Sequence, residues 1–332
     1  MTRTPSLALL LNLVLTVACK APVTDDSDAD TDTDSDADTD TSVAPVCNKS
    51  VNRSAVNKPR GVFTSVLTSG AVGNPQMQGG LIRVPWAEIE PQPGVYDFAA
   101  IEDRLALLPA GRQWSLGIHG GYVSVDENDP DLYTSHTYPN GTPRPELSLE
   151  MAPSWLVTDY GVETFSMEFR GVPVEMAKYW DPALQDRLSV MLEAVATEYG
   201  SDPNLALVYV PQMTSNGLEG HFNGVPNQTL LTAAGIDPNA PDANASFGAI
   251  WVQASLQASL SVATAFDTKP VAFEVHELLG EATIPVQIMD GLLADPAFAD
   301  RAGIGMWWIS GDAVSYQTDL VDAIRLPPST PE

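Results

Sequence analysis

The chain has 332 residues, 44% of them hydrophobic and 18% charged, with 43 Asp and Glu against 16 Lys and Arg for a formal net charge of -27. That apolar content supports a buried core, and 24 Gly and 27 Pro without a repeat exclude a collagen-like or coiled-coil chain. The acidic balance argues against a nucleic-acid partner, because tracking phosphates requires a stripe of Lys and Arg.

Residues 1–19, MTRTPSLALLLNLVLTVAC, place Arg3 ahead of an apolar run from Leu7 to Val17 and end on Ala18-Cys19. This is the pattern of an export signal, and the run is short for a bilayer span. Its end resembles the lipobox of bacterial lipoproteins, in which the cysteine is lipidated and becomes the mature N-terminus. Cys19 is the expected lipidation site, and the lipid the only expected membrane contact. The expected location is therefore outside the cytoplasm, anchored to a bacterial membrane or cell surface. Leu15 lies one place further from Cys19 than the usual pattern has it, which leaves ordinary secretion open.

Residues 20–46 read as an acidic disordered linker, since 25–40 alternates aspartate with Ser, Thr and Ala and has no apolar face. Its D-x-D-x-D spacing lacks the turn glycine and closing glutamate of a calcium loop. With Cys19 lipidated, Cys47 has no intramolecular partner, so no disulfide framework is available.

From residue 47 onward, β-rich runs recur at 61–67, 80–86, 113–120, 205–212, 270–276 and 303–310. Apolar spacing of three and four predicts helices at 98–108, at 182–199 after Asp181, and at 247–266. Alternating strands and helices predict a parallel sheet. Strand parity favours a (β/α)8 TIM barrel, whose outward face meets helices and whose inward face can be polar at the C-terminal end. Ile82 and Val84 oppose Arg83; Trp114, Leu116 and Ile118 oppose Ser115, Gly117 and His119; Val271, Phe273 and Val275 oppose Ala272, Glu274 and His276. Six strands are recognisable rather than eight, so the expected barrel over residues 47–332 is incomplete or divergent. Residues 122–181 read as an excursion over the barrel mouth, with a hairpin at 162–176 turning near Arg170-Gly171.

Residues 80–105, GLIRVPWAEIEPQPGVYDFAAIEDRL, contain a loop that Pro91, Pro93 and Gly94 force to turn tightly and that Tyr96 and Phe98 dock, with a helix starting after Asp97. The W-x-x-I-E-P-x-P-G-x-Y-D-F piece is similar to the second strand and following helix of clan-A glycoside hydrolases, notably family 42 β-galactosidases and family 5 cellulases. Arg83 in I-R-V-P resembles that clan's strand-two arginine, His119 in G-I-H-G-G its strand-three histidine, and Pro153-Ser154-Trp155-Leu156 a substrate-side loop. The likeness covers roughly residues 60 to 220.

The resemblance implies a carbohydrate substrate and a retaining reaction between two carboxyl groups, one giving a proton to the leaving oxygen and one attacking. In VYVPQMTSNGLEGHF, Glu219 is the candidate acid, with His221 able to tune it, although Asn216 is displaced from the clan's adjacent Asn-Glu pair. Glu274 is the candidate nucleophile, although it lies on the fifth recognisable strand where the clan uses the seventh. A bland alternative pairs Glu274 with Arg83 as a structural salt bridge. Arg83, His119, Asn216 and His276 are candidate substrate contacts, and so is the indole of Trp307 or its neighbour Trp308, with Trp155 and Trp86 as further platforms. His119, His221 and His276 show no short helical spacing, so neither a metal nor another cofactor is expected. The rival reading is a non-catalytic carbohydrate-binding or structural surface lipoprotein on a degenerate barrel.

Overall fold

A computed structural model describes residues 59–125, 150–169, 172–222, 224–298, 301–306 and 317–325. Cys19, Cys47, the acidic segment, Trp307 and Trp308 lie outside the described residues. The strands in chain order are β1 (Val62–Thr64), β2 (Met77–Pro85), β3 (Gln113–His119), β4 (Tyr122–Val125), β5 (Thr164–Phe169), β6 (Val172–Ala177), β7 (Leu205–Tyr209), β8 (Val271–Glu274) and β9 (Ala302–Gly305).

The six runs read from the sequence are the six strands of one parallel sheet, ordered β1-β2-β3-β7-β8-β9. The order never reverses. A doubly wound sheet must reverse at its switch point and take helices on both faces, whereas sequential right-handed crossovers keep the helices on one face and curl the sheet. The result is a partial α/β barrel. The eight-stranded closure of a (β/α)8 barrel is not met among the described residues, where six parallel strands are present.

The expected parity is visible in burial. Ile82, Val84, Trp114, Leu116, Ile118, Val271, Phe273 and Val275 are all buried under the helices. On the other face Ser115, His119, Glu274 and His276 are buried as well, because the chain after β7 folds back into the curl. Gly117 makes room for it, since a Cβ there would lie 2.6 Å from Leu218 Cδ2.

The helix Pro182–Tyr199 begins where the sequence indicates, with Asp181 Oδ1 accepting from the Ala183 N–H at 2.8 Å and Pro182 in the first turn. Leu184, Leu188, Met191, Leu192 and Val195 form its buried stripe. The helix Ala243–Ala265 starts four residues earlier than the periodicity indicates, because its first turn carries no large apolar residue to mark it. Its Gly248 and the facing Gly291 permit close packing on the helix Thr283–Ala294: a Cβ at Gly248 would lie 3.0 Å from Ile284 Cγ1, and one at Gly291 would lie 2.7 Å from Leu256 Cδ1. Among the described residues no helix is long and apolar enough to cross a membrane.

The excursion between β3 and β7 holds a second sheet, ordered β4-β6-β5 and antiparallel. Phe169 pairs with Val172, so β5 and β6 form an antiparallel hairpin in the expected region, while Arg170-Gly171 lie outside the described residues. Phe165 stacks on Trp180 and tilts against Phe222, which docks this sheet beside the open end of the curl.

The W-x-x-I-E-P segment proves to be organised around Glu90, whose side chain is completely buried. Its carboxylate accepts from the Trp86 indole N–H at 2.9 Å and the Gly94 N–H at 2.8 Å, and pairs with Arg187. The Trp155 indole N–H donates to the Glu90 carbonyl at 3.0 Å, and the Arg187 guanidinium covers the Trp155 and Tyr160 rings. Trp86 and Trp155 are thus structural members of a buried ion-pair nest. Glu90→Ala is expected to lower the unfolding free energy by about 3–5 kcal/mol in urea denaturation, because it strands Arg187 between the Trp155 and Tyr160 rings. A loss below about 1 kcal/mol would contradict that role.

Candidate active site

The site is built where β7 and β8 end side by side. Beyond β7 the chain makes a tight knot around Gln212, which is fully buried. The Gln212 side-chain N–H2 donates to the Leu218 carbonyl at 2.9 Å and the Glu274 carbonyl at 2.8 Å, and its backbone N–H donates to the Gly217 carbonyl. Thr214 Oγ1 donates to the Glu219 carbonyl at 2.6 Å, and Asn216 Oδ1 accepts from the Glu219 N–H at 2.9 Å. Gly217 adopts φ +77°, and a Cβ there would lie 2.8 Å from the Gly120 carbonyl oxygen. The backbone of Glu219 is therefore fixed from both sides.

Across from it, β8 presents Glu274 with a side chain of zero exposure. Its Oε2 accepts from the Gly220 N–H at 2.8 Å, and its Oε1 lies 3.0 Å from His276 Nε2. The same Nε2 lies 3.7 Å from Glu219 Oε2, and His221 Nε2 lies 3.3 Å from that oxygen. His276 Nε2 is buried and has no hydrogen bond of good alignment with any of these neighbours. The two imidazoles meet edge to face at 4.7 Å. Beyond them opens a cleft of about 550 Å³, lined among others by Asn216, Glu219, His221, His276, Glu277 and Gln317.

The electrostatics follow from this crowding. Burial alone would raise the Glu219 carboxyl, but contacts with His221 and His276 and their charge outweigh it and hold Glu219 well below the usual carboxylate range. Burial alone would lower His276, but its contacts with Glu219 and Glu274 and their charge outweigh that and raise it to about 9. Gln317 offers its amide nitrogen to His276 Nδ1 at 3.1 Å, which suits a neutral ring. That contact and the two carboxylates pull the ring in opposite directions, and the carboxylates' pull is the larger, so the folded value stays raised.

The structure gathers Asn216, Glu219, Glu274 and His276 in one place, with His119 within electrostatic reach of Glu219 and of Arg83. Asn216 is occupied as a cap for its own loop. His119 is buried with neither ring nitrogen partnered. Burial and then the Arg83 charge push it down to about 3, against a pull from Glu219, so this imidazole is neutral. Arg83 is half-buried and forms no ion pair among the described residues, so the bland Arg83–Glu274 salt bridge is absent; Gly220 and His276 take that place. Trp155 packs on Glu90, away from the cleft, which removes it as a sugar platform. Trp307 lies outside the described residues.

One expectation needs correction. The histidines are not scattered: loops bring His221 and His276 together with Glu219, their ligand atoms all within 4.8 Å of one another, a convergence that helical spacing cannot register. Gln317 was missed entirely. It reaches His276 from 41 residues away, and its oxygen accepts from the Glu277 N–H at 2.7 Å, with no local pattern to announce either contact.

No protein-family model matches the chain, and no curated protein sequence matches it. Solved structures similar to it are glycoside hydrolases. One is endo-glycoceramidase II from Rhodococcus sp., captured as a lactosyl-enzyme intermediate, with 16% identity over 75% of this chain and 72% of that one, TM-score 0.30. Another is a β-galactosidase from Rahnella sp. R3, with 10% identity over 63% of this chain and 32% of that one, TM-score 0.39. A third is a β-galactosidase from the psychrophilic Marinomonas ef1, with 13% identity over 67% of this chain and 37% of that one, TM-score 0.40. Overlap this loose fixes no chemistry, which must come from the side chains themselves.

A raised His276 has a consequence for stability. A ring whose folded value is raised from 6.5 to about 9 contributes fully below about pH 6.5 and loses that contribution as pH rises through about 9. NMR titration is expected to show the His276 ring deprotonating near pH 9, and Glu219→Gln to move that midpoint down. A midpoint near 6.5 in the parent would contradict the cluster's electrostatics.

Proposed function

We propose that the chain is a glycoside hydrolase that cleaves O-glycosidic bonds of an oligo- or polysaccharide in this cleft, with retention. The observation that carries the reading is the convergence of two carboxylates, Glu219 and Glu274, on one imidazole nitrogen at the C-terminal ends of adjacent parallel strands. Catalytic groups in barrels gather at that end.

Geometry and charge suggest roles different from those the sequence implied. Glu219 is ionised and faces the cleft, so it is the group able to attack the anomeric carbon as the glycosidic C–O bond breaks. His276 belongs to the same cleft wall and its value is raised, so it is the proposed donor to the leaving oxygen, reached once substrate opens the site around its buried Nε2. Water then attacks the glycosyl ester, His276 takes its proton, and Glu219 is released. Glu274 is too deeply buried and too firmly held to meet a substrate carbon. It is a positioning residue that keeps the imidazole oriented and charged, as a buried carboxylate does behind a catalytic histidine. Arg83, His119 and Trp307 stay in the proposal as substrate-side groups of the same mouth on sequence grounds. Export through residues 1–19 and a lipid on Cys19 would place the cleft outside the cytoplasm, facing extracellular glycans.

Assays on a panel of aryl glycosides and oligosaccharides test this. Glu219→Gln is expected to abolish turnover, and His276→Gln to lower kcat by about 10²–10⁴-fold. Glu274→Gln should move the alkaline limb of the pH–rate profile to lower pH. Turnover by Glu219→Gln equal to the parent's would overturn the assignment. Sugar binding without turnover by the parent would favour a non-catalytic carbohydrate-binding protein.

A further inference from the structure

The cluster that would serve hydrolysis has a second property, which does not depend on the hydrolase reading. We propose that Glu219, His221 and His276 form a binding site for one zinc-class divalent ion at the floor of the cleft.

One ligand atom from each of Glu219, His221 and His276 lies within 4.8 Å of the others, and His221 Nε2 and His276 Nε2 both approach Glu219 Oε2. Zinc sits about 2.0–2.2 Å from each nitrogen or oxygen ligand, so neighbouring ligands around it stand roughly 3–3.6 Å apart. The observed 3.3 and 3.7 Å separations from Glu219 Oε2 need almost no adjustment. Two imidazoles and one carboxylate, with the fourth direction open to the cleft, are a donor set that zinc accepts.

A second observation points to a ligand. His276 is buried, yet its Nε2 has no aligned hydrogen bond although two carboxylates lie beside it. A side chain from outside the cluster braces the ring from behind: Gln317 Nε2 lies 3.1 Å from His276 Nδ1. Glu274 Oε1, 3.0 Å from His276 Nε2, adds negative charge next to the ion. The loop is fixed beforehand by Thr214 and Asn216, so little order has to be gained on binding.

The same donors discriminate. Magnesium and calcium demand an all-oxygen shell of about six or more ligands, which two imidazoles cannot supply. A bound zinc would also occupy Glu219, so ion and glycoside compete for one carboxylate and the metal acts as an occluding ligand of the cleft.

The test uses the full chain, stripped with chelator and titrated with zinc chloride by calorimetry in about 1 mM calcium, which saturates carboxylate-only sites such as residues 25–40. The expected result is one zinc per chain and a raised unfolding temperature, with affinity reduced at least about tenfold in both His221→Ala and Glu219→Gln. Glu219→Gln is close to isosteric, so it keeps the test valid if the histidine variant folds poorly. No zinc uptake by the parent, equal affinity in the variants, or magnesium binding as tightly as zinc would each overturn the site. Failure of the hydrolase reading would register separately, as absent turnover in metal-free protein.

Discussion

One backbone donor, the Gly220 N–H, holds the carboxylate of Glu274 at 2.8 Å inside the curl of the sheet, and the arrangement of the mouth depends on that contact. A carboxylate of zero exposure is tolerated only where its oxygens are satisfied, since an uncompensated buried charge costs several kcal/mol. The requirement binds the chain after β7 to the end of β8. Gly220 must approach closely, and a Cβ there would lie 3.0 Å from the Glu274 carbonyl oxygen. Once Gly220 is seated, Glu219 projects one residue earlier into the cleft, and His276, two residues beyond Glu274, lies between the two carboxylates. The protonation states follow from the packing.

Much of the scaffold was legible in the sequence because its signals are local. Each parallel strand is a short apolar run bounded by turn residues, and Asp181-Pro182 announces the long helix. The hairpin at 164–177 was legible for the same reason, as two β-rich runs around Arg170-Gly171. Closure was not, since the number of strands in a barrel is a property of tilt and register that no single strand carries. The inward face was misread in one respect. Parity gave the direction of Ser115, Gly117 and His119, but not that Leu218 would fill the interior against Gly117.

The site divides along the same line. Glu219 and Glu274 could be picked out because glycines and strand parity mark them. What those carboxyls do depends on neighbours distant in sequence. His276 is 57 positions from Glu219 and Gln317 a further 41, and nothing in either segment states that they meet. Trp86 and Trp155 misled for a related reason: an indole offers the same flat face to a sugar or to a buried ion pair, and here they serve Glu90 and Arg187. Asn216, expected to meet a sugar hydroxyl, instead caps the turn that presents Glu219.

The central claim is that Glu219, kept ionised by His221 and His276, attacks the sugar, while buried Glu274 only positions the imidazole. The most direct measurement is mass-spectrometric mapping of the metal-free protein after incubation with 2-deoxy-2-fluoro glycosyl fluorides of glucose and galactose, which trap a glycosyl ester on the attacking carboxylate. The account predicts one label per chain, on Glu219. A label on Glu274 or on any other carboxylate would contradict it, as would turnover of the matching unfluorinated glycoside with no label at all.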